Sequence, residues 1–168
     1  GAKFNPDKAK WYNKEYLRLK SDEELTDIFV PMLEQHGITV TGCYKCPVST
    51  DFANKSVSKN YVKKVVSLIK ERATFVSDFW TIASYLFTAP QEFVEKDAAK
   101  FWKEENYTLA YKVADFIRDF EGEFTKENLE AGLEEYIRGN EWPMGKVMNC
   151  LRLALVGASS GLGIADIV

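Results

Sequence analysis

The stretch MGKVMNCLRLALVGASSGLGIAD, residues 144–166, contains the pattern from which the fold class of this chain follows. Its first half places apolar side chains at the spacing of an amphipathic helix, at Met144, Val147, Met148, Leu151 and Leu155. Pro143 stands directly before this run and suits a helix start. Glycines then follow at positions 157, 161 and 163. The pattern predicts a helix that is capped by Gly157 and followed by a tight turn.

The glycine spacing also resembles the cofactor loop of short-chain dehydrogenases, so a dinucleotide site is the first alternative. Such a loop follows a β-strand, which aims the chain at the pyrophosphate and at the N-terminus of the next helix. The residues before Gly157 instead have helical period, and no strand and helix alternation precedes them. The sequence therefore predicts no dinucleotide site.

Most of the remaining sequence also has helical period. The first predicted helix begins at Asn5-Pro6. The second begins at the capping box of Ser21 and Glu24, is kinked at Pro31 and ends at Gly37. Further helices are predicted from Lys59 to Arg72, from Thr74 to Phe87, from Asp97 to Lys103, from Tyr107 to Phe120, and from a Thr125 cap to Gly139-Asn140. Residues 38–57 are polar and contain Gly and Pro, so they are predicted to be a loop with at most a short extended segment. The fold class predicted from these signals is all-α.

Composition excludes several classes of protein. The chain has 168 residues, of which 46% are hydrophobic and 14% aromatic, so it can bury a core. It has neither an apolar run of about 20 residues nor a secretory apolar stretch, which predicts a soluble, intracellular protein.

Residues 55–90 carry 6 Lys and Arg against 2 Asp and Glu, whereas residues 91–142 carry 7 against 14. A basic face on an acidic protein permits polyanion binding, and solvated helix faces give the same pattern.

Motifs for catalysis or metal binding are weak. Cys43 and Cys46 form a C-x-x-C with His36 nearby, but a closed zinc site needs four ligands and a second pair is missing. His36 is explained more simply as the polar end of a helix. The sequence has no nucleophile elbow and no Walker loop. We therefore predict neither a metal site nor a catalytic residue in this chain.

A family resemblance covers the C-terminal stretch. Residues 139–168 resemble the anticodon-binding region of bacterial glutamate–tRNA ligases, in which G-K-x-M-x-P-L-R-x-A-L-T-G precedes a small polar loop and an apolar turn. The matching positions are Gly145, Lys146, Met148, Leu151, Arg152, Ala154, Leu155 and Gly157, continued by Gly163, Ile164, Asp166 and Ile167. Residues 7–25 and 65–80 are also similar to the family, with Arg72 at an arginine position. The departures are Cys150 for proline, Val156 for threonine and Leu162 for a frequent proline.

The resemblance implies two consecutive helical bundles, residues 1–90 and 91–168, that read the anticodon of glutamate tRNA. Motifs of the catalytic domain are absent, so the chain is expected to be a fragment that begins after that domain and stops short of the native end. ATP and Mg²⁺ would belong to the catalytic domain, and the fragment would need no cofactor. The expected protein is a cytoplasmic monomer that binds neither DNA nor membrane.

The resemblance also implies site residues. Arg152 matches the arginine of the P-L-R segment and is the first choice for reading a base, and Arg72 is the second. In the loop after Gly157, apolar contacts to a base are expected from Leu162 and Ile164, with Gly161 and Gly163 allowing close approach. Phosphate contacts are expected from Lys146, Lys63 and Lys64.

Other interpretations of these residues stay open at this point. Arg152 can instead hold the last helices together, and Lys63 and Lys64 can be plain surface. A different function is also open for the whole chain, namely a non-catalytic helical module that docks a partner helix through exposed apolar surface.

Overall fold

A computed structural model describes residues 5–45, 48–51 and 53–168. The described chain is mainly helical and divides into two compact units, of which the first ends at Thr88 and the second runs Ala89–Val168. The helices of the first unit are α1 (Pro6–Leu19), α2 (Asp22–Gln35), α3 (Lys59–Ile69) and α4 (Asp78–Ala83), the last continued by a 3₁₀ turn at Ser84–Leu86. Those of the second are α5 (Glu95–Phe101), α6 (Glu104–Arg118), α7 (Lys126–Gly139), α8 (Met144–Val156) and α9 (Ile164–Ile167). The all-α prediction is confirmed.

Local capping signals fix where several helices begin. The Asn5 side chain accepts hydrogen bonds from the backbone N–H groups of the first turn of α1. Ser21 and Glu24 form the predicted capping box, because each side chain bonds the other residue's backbone N–H. Thr125 caps α7 through Asn128 N–H. These contacts satisfy backbone donors that a helix start otherwise leaves without partners.

The core of the first unit lies between α2, α3 and α4. Leu25, Phe29 and Leu33 of α2 are fully buried, and α3 faces them with its own buried stripe of Val62, Val66 and Ile69. The Phe29 ring meets Phe79 edge to face at 5.4 Å between centroids, a favoured aromatic geometry. α2 continues through Pro31 without ending, so the predicted kink there stays a prediction.

A small sheet lies within residues 38–57, where a loop with at most a short extended segment was predicted. β1 (Thr39–Thr41) pairs in parallel with β3 (Ser56–Ser58), and β2 (Thr50–Asp51) pairs antiparallel with β3. Val57 is the buried apolar residue of the central strand. Strands of two or three residues are too short for an alternating pattern to stand out, so the sequence signal for them is weak.

The predicted helix from Thr74 to Phe87 begins four residues late. The Asp78 carboxylate accepts hydrogen bonds from the backbone N–H groups of Thr74 and Phe75, both at 2.9 Å. These bonds hold the chain in a turn before α4, so the first residues of the predicted helix are not helical. Helical spacing of the apolar residues alone could not reveal this competing bond.

The second unit packs around α8. Its buried cluster joins α6, α7, α8 and α9 and comprises Ala110, Val113, Leu129, Leu133, Ile137, Val147, Cys150, Leu151 and Ile164. At the rim of the cluster the Phe116 ring stacks on Tyr136 at 4.5 Å between centroids. Within α8, Gly145, Lys146 and Ala154 are exposed, and the other residues of the helix are buried or half-buried.

α8 ends at Val156 because Gly157 adopts the left-handed conformation, with φ of 84°. The Gly157 N–H bonds the carbonyl of Leu153, and its own carbonyl accepts from Val94 N–H at 2.8 Å. A Cβ at position 157 would lie 2.4 Å from the backbone oxygen of Glu92. The predicted glycine cap is thus confirmed, and the element before it is a helix rather than the strand that a dinucleotide loop requires.

Replacing this glycine tests the cap. We expect Gly157→Ala to lower the free energy of unfolding by at least about 1–2 kcal/mol, because the new methyl meets both an unfavourable φ and the Glu92 carbonyl. Gly139→Ala is the matched control, since nothing lies within 4 Å of a Cβ there. It should be neutral or stabilising by less than about 1 kcal/mol. Urea unfolding measures both, and equal effects would contradict this account.

Candidate nucleic-acid interface

One face of α8 lines an open pocket in the second unit. Met144, Met148 and Arg152 recur every four residues on this face and therefore lie above one another. α7 and the segment that starts α9 complete the pocket, which has a volume of about 360 Å³ and is further lined by Glu130, Leu133, Glu134, Arg138, Gly163, Ile164 and Ala165. The pocket combines apolar walls with charged groups of both signs.

Arg152 is half-buried and reaches the loop of residues 158–163, which we call the α8–α9 loop. Its Nε donates to the Leu162 carbonyl at 3.3 Å, and its Nη1 donates to the Ser159 carbonyl at 3.4 Å and to Asn149 Oδ1 at 3.3 Å. These distances are at the long end for N–H to oxygen hydrogen bonds. Within the described chain we see no partner of Nη2. The guanidinium is therefore oriented by the loop and still has donors available at the pocket.

The other charges of the pocket set its preference for a ligand. Arg138 pairs with Glu134 at 2.6 Å, and both side chains are exposed. Glu130 lies on the same helix one turn earlier and contributes a second carboxylate. Arg138 and Arg152 balance the two carboxylates, so the pocket has no net positive charge to attract a phosphate, whereas a nucleobase edge offers both hydrogen-bond donors and acceptors that such a lining can meet. The pocket suits the edge of a base better than a phosphate.

The structure corrects the expected roles of Leu162 and Ile164. Leu162 is 2% exposed and Ile164 is 3% exposed, so neither side chain presents its apolar surface to a ligand. Ile164 belongs to the core cluster of the second unit although its residue lines the pocket edge. An isolated apolar residue between glycines can face either way, and the sequence pattern does not distinguish the two cases.

Gly161 and Gly163 differ from each other in their backbone. Gly161 is exposed and has φ of 146°, which side chains rarely adopt, so this point of the α8–α9 loop stays bare. Gly163 directly precedes α9 and has an ordinary φ of −61°. A Cβ at Gly163 would lie 3.0 Å from Asp166 Oδ2, and Asp166 also pairs with Lys126 at 2.6 Å. The end of the α8–α9 loop is thus held close to α7 and α9.

The start of the α8–α9 loop is held by a residue that sequence reasoning missed. Asp97, in the first turn of α5, accepts a hydrogen bond from the Ser159 backbone N–H at 2.8 Å. This bond is the main cause that lowers the pKa of the Asp97 carboxyl below its usual value. The two residues are 62 positions apart in sequence, so no local pattern could have indicated the contact.

The predicted phosphate contacts are dispersed over the two units. On α8, Lys146 is exposed and lies 3.8 Å from the Glu105 carboxylate. On α3 of the first unit, Lys63 pairs with Glu23 at 2.8 Å, and Lys64 is exposed. Arg72 follows α3 in an exposed turn where its backbone N–H bonds the Ile69 carbonyl. Arg72 and Arg152 therefore belong to different units.

An aromatic groove on another face of α8 was not predicted. Trp102, Tyr107 and Tyr111 border a space of about 210 Å³ whose floor includes Cys150 and Ala154. Trp102 is 46% exposed and Tyr111 is 67% exposed, although both are large apolar side chains. The spacing of Tyr107 and Tyr111 by four residues was the available sequence signal, because it places them on one helix face.

Two further observations concern metal binding and membranes. No group of three His, Cys, Asp or Glu that could hold a metal is found within residues 5–45, 48–51 and 53–168. Cys43 is exposed, and Cys46 lies outside the described residues. None of the helices in the described chain is both long and apolar enough to cross a membrane.

The burial of Leu162 has a measurable consequence. We expect Leu162→Ala to lower the free energy of unfolding by about 2–5 kcal/mol, the usual range for a buried leucine. Leu19→Ala is the matched control, because Leu19 is 85% exposed and its truncation should cost less than about 0.5 kcal/mol. Urea unfolding monitored by circular dichroism distinguishes the two variants. An unchanged stability of Leu162→Ala would restore the expectation that this side chain is free to touch a ligand.

Comparison with known proteins shows the family of this chain. Residues 24–168 match the model of a family described as an anticodon binding domain. The chain is 37% identical to a glutamate–tRNA ligase of Parabacteroides distasonis over 99% of its length, and 39% identical to one of Flavobacterium johnsoniae over its whole length. In both cases it spans 30% of the relative.

A solved glutamate–tRNA ligase from Elizabethkingia meningosepticum superposes on this chain with a TM-score of 0.77 and 32% identity, covering all of this chain and 30% of the ligase chain. The mainly helical fold and the family match over most of the sequence agree with one another. The chain belongs to the anticodon-binding domain family and resembles, over its whole length, part of glutamate–tRNA ligases.

Proposed function

We propose that this chain recognises the anticodon of glutamate tRNA as part of a glutamate–tRNA ligase, which joins glutamate to its tRNA with ATP. The observation that carries the proposal is the pocket of α7, α8 and α9, in which Arg152 occupies the family's arginine position with part of its guanidinium uncommitted. The similarity to glutamate–tRNA ligases, which extends along the whole of this chain, supports glutamate tRNA as the partner.

An unpaired anticodon base would enter the pocket with its edge toward Arg152. Bases in an RNA loop can leave the stack and be read on their Watson–Crick edges. Met144 and Met148 would contact the faces of the base, and the planar guanidinium would donate to its acceptors. Glu130 and Glu134 would accept from an amino group on the same edge. The pocket therefore favours a base that carries both kinds of group.

The remaining site residues have supporting roles in this proposal. Arg72 would contact a second anticodon base from the first unit, and Lys146, Lys63 and Lys64 would contact phosphates. Gly161 would let the RNA approach the backbone of the α8–α9 loop, since it has no side chain. Leu162 and Ile164 would act indirectly, because their buried side chains fix the loop.

The chemistry of the ligase would lie outside this chain. The chain spans 30% of the relatives, and no residue in it is proposed as catalytic. ATP and Mg²⁺ would accordingly bind elsewhere in the ligase, and the chain itself would need no cofactor. A role in protein synthesis would place it in the cytoplasm, and we propose that it acts as a monomer on RNA rather than on DNA or membranes.

The aromatic groove on α8 favours a second candidate function. Trp102 and Tyr111 expose large apolar surfaces beside a groove with an apolar floor. A partner helix could place its apolar side chains in such a groove. The two functions differ in the force that drives binding, because RNA binding depends on charge and docking of a helix depends on apolar burial.

Substitution of Arg152 tests base recognition. We expect Arg152→Ala to reduce discrimination between the glutamate anticodon and an anticodon changed at one base by about 1–3 kcal/mol. Fluorescence anisotropy with RNA hairpins that contain the anticodon stem and loop measures the ratio of the two Kd values. Arg118→Ala is the matched control, since Arg118 is an exposed arginine paired only with carboxylates near the end of α6. Equal discrimination in the wild type and Arg152→Ala would refute the assignment.

Ionic strength distinguishes RNA binding from helix docking. We expect the association constant for the hairpin to fall steeply as salt rises, because each contacted phosphate releases counterions. Lys146→Ala should make the logarithmic slope shallower by about one unit and weaken cognate and altered hairpins equally. The measurement is a salt titration of hairpin binding. A slope near zero would favour the docking function instead.

A further inference from the structure

The backbone of Ser159 is hydrogen-bonded through both its N–H group and its carbonyl. Its backbone N–H donates to Asp97 Oδ2 at 2.8 Å, and its carbonyl accepts from Arg152 Nη1 at 3.4 Å. A single residue of the α8–α9 loop thus connects a carboxylate on α5 with the guanidinium that faces the pocket. Any shift of Ser159 would change the position of an oxygen that orients Arg152.

The two bonds differ in strength. An ionised carboxylate that accepts from a backbone N–H makes a charge-assisted hydrogen bond, which is stronger than a neutral one. The lowered pKa of Asp97 agrees with this, since the N–H of Ser159 favours the charged form. The bonds from Arg152 are long and correspondingly weak. Asp97 therefore determines where Ser159 lies, and Arg152 follows the loop.

In the described part of the chain, the neighbours of Asp97 in sequence make other contacts. Glu95 is exposed in the same first turn, and the Val94 N–H bonds Gly157, at the helix cap before the loop. At the far end, Lys126 pairs with Asp166 on α9. Asp97 thus holds the first half of the α8–α9 loop from the side of α5.

We infer that Asp97 is a positioning residue for anticodon recognition, which fixes Ser159 and through it the direction of the Arg152 guanidinium. The inference rests on the proposed function and adds to it a residue that never touches the RNA. It predicts that loss of the Asp97 carboxylate lowers the selectivity among anticodons even though an acidic group has been removed from an RNA-binding protein. Removal of an acid by itself would strengthen binding to all hairpins alike.

The test is a double-mutant cycle on discrimination between cognate and altered hairpins. We expect Asp97→Ala to lower the ratio of Kd values by at least about two-fold and by no more than Arg152→Ala does. The double variant should discriminate no worse than Arg152→Ala alone, because Asp97 acts through Arg152. Asp97→Asn should retain most of the discrimination, since its amide oxygen can accept from the same N–H. Glu95→Ala is the matched control and should leave the ratio unchanged.

A second measurement keeps the test decisive if Asp97→Ala is unstable. Amide hydrogen exchange should show faster exchange at Ser159 in Asp97→Ala and unchanged exchange at Leu151 and Leu153 in the core of α8. Global loss of protection, together with loss of discrimination in Asp97→Asn as well, would mean that Asp97 stabilises the fold as a whole, and would overturn the inference.

The failures of the two proposals can be told apart. If Arg152→Ala discriminates like the wild type, the proposed function of the pocket fails and the inference fails with it. If Arg152→Ala loses discrimination while Asp97→Ala keeps it, or if the double variant is additive, only the inference is overturned.

Discussion

The left-handed turn at Gly157 is the constraint on which the second unit depends. Helix α8 would otherwise continue, and the Glu92 carbonyl occupies the space that any side chain at this position would need. The Val94 N–H holds the Gly157 carbonyl and so fixes the direction in which the chain leaves the helix. As a result the α8–α9 loop turns back beside α8, and its carbonyls meet Arg152 five residues before the cap.

The same geometry explains how a structural arginine can also be a recognition residue. Carbonyls of the loop orient the guanidinium through long bonds that leave it able to donate elsewhere. A group that is held in place before binding loses little freedom when a ligand arrives, and this favours affinity and selectivity. Leu162 and Ile164 serve the same end, because burying them fixes the loop against the core. The interpretation of Arg152 as a fold-holding residue and its proposed role in recognition are therefore compatible.

Features that depend on neighbouring residues could be predicted from the sequence, and features that depend on distant ones could not. The capping box at Ser21, the cap at Thr125 and the end of α8 at Gly157 are encoded within a few residues, and each prediction is confirmed. The turn held by Asp78, the pairing of the short strands around Val57 and the burial of Leu162 depend on competing bonds or on tertiary packing, so no local pattern indicated them. The bond from Ser159 to Asp97 spans 62 positions and left no local signal.

The most direct measurement is a structure of this chain bound to an RNA hairpin that carries the glutamate anticodon. The account predicts one unstacked base between Met144, Met148 and Arg152, hydrogen-bonded to the guanidinium, with the backbone of the α8–α9 loop and its bond to Asp97 unchanged. A base stacked instead in the groove of Trp102 and Tyr111, with the pocket beside Arg152 empty, would contradict it.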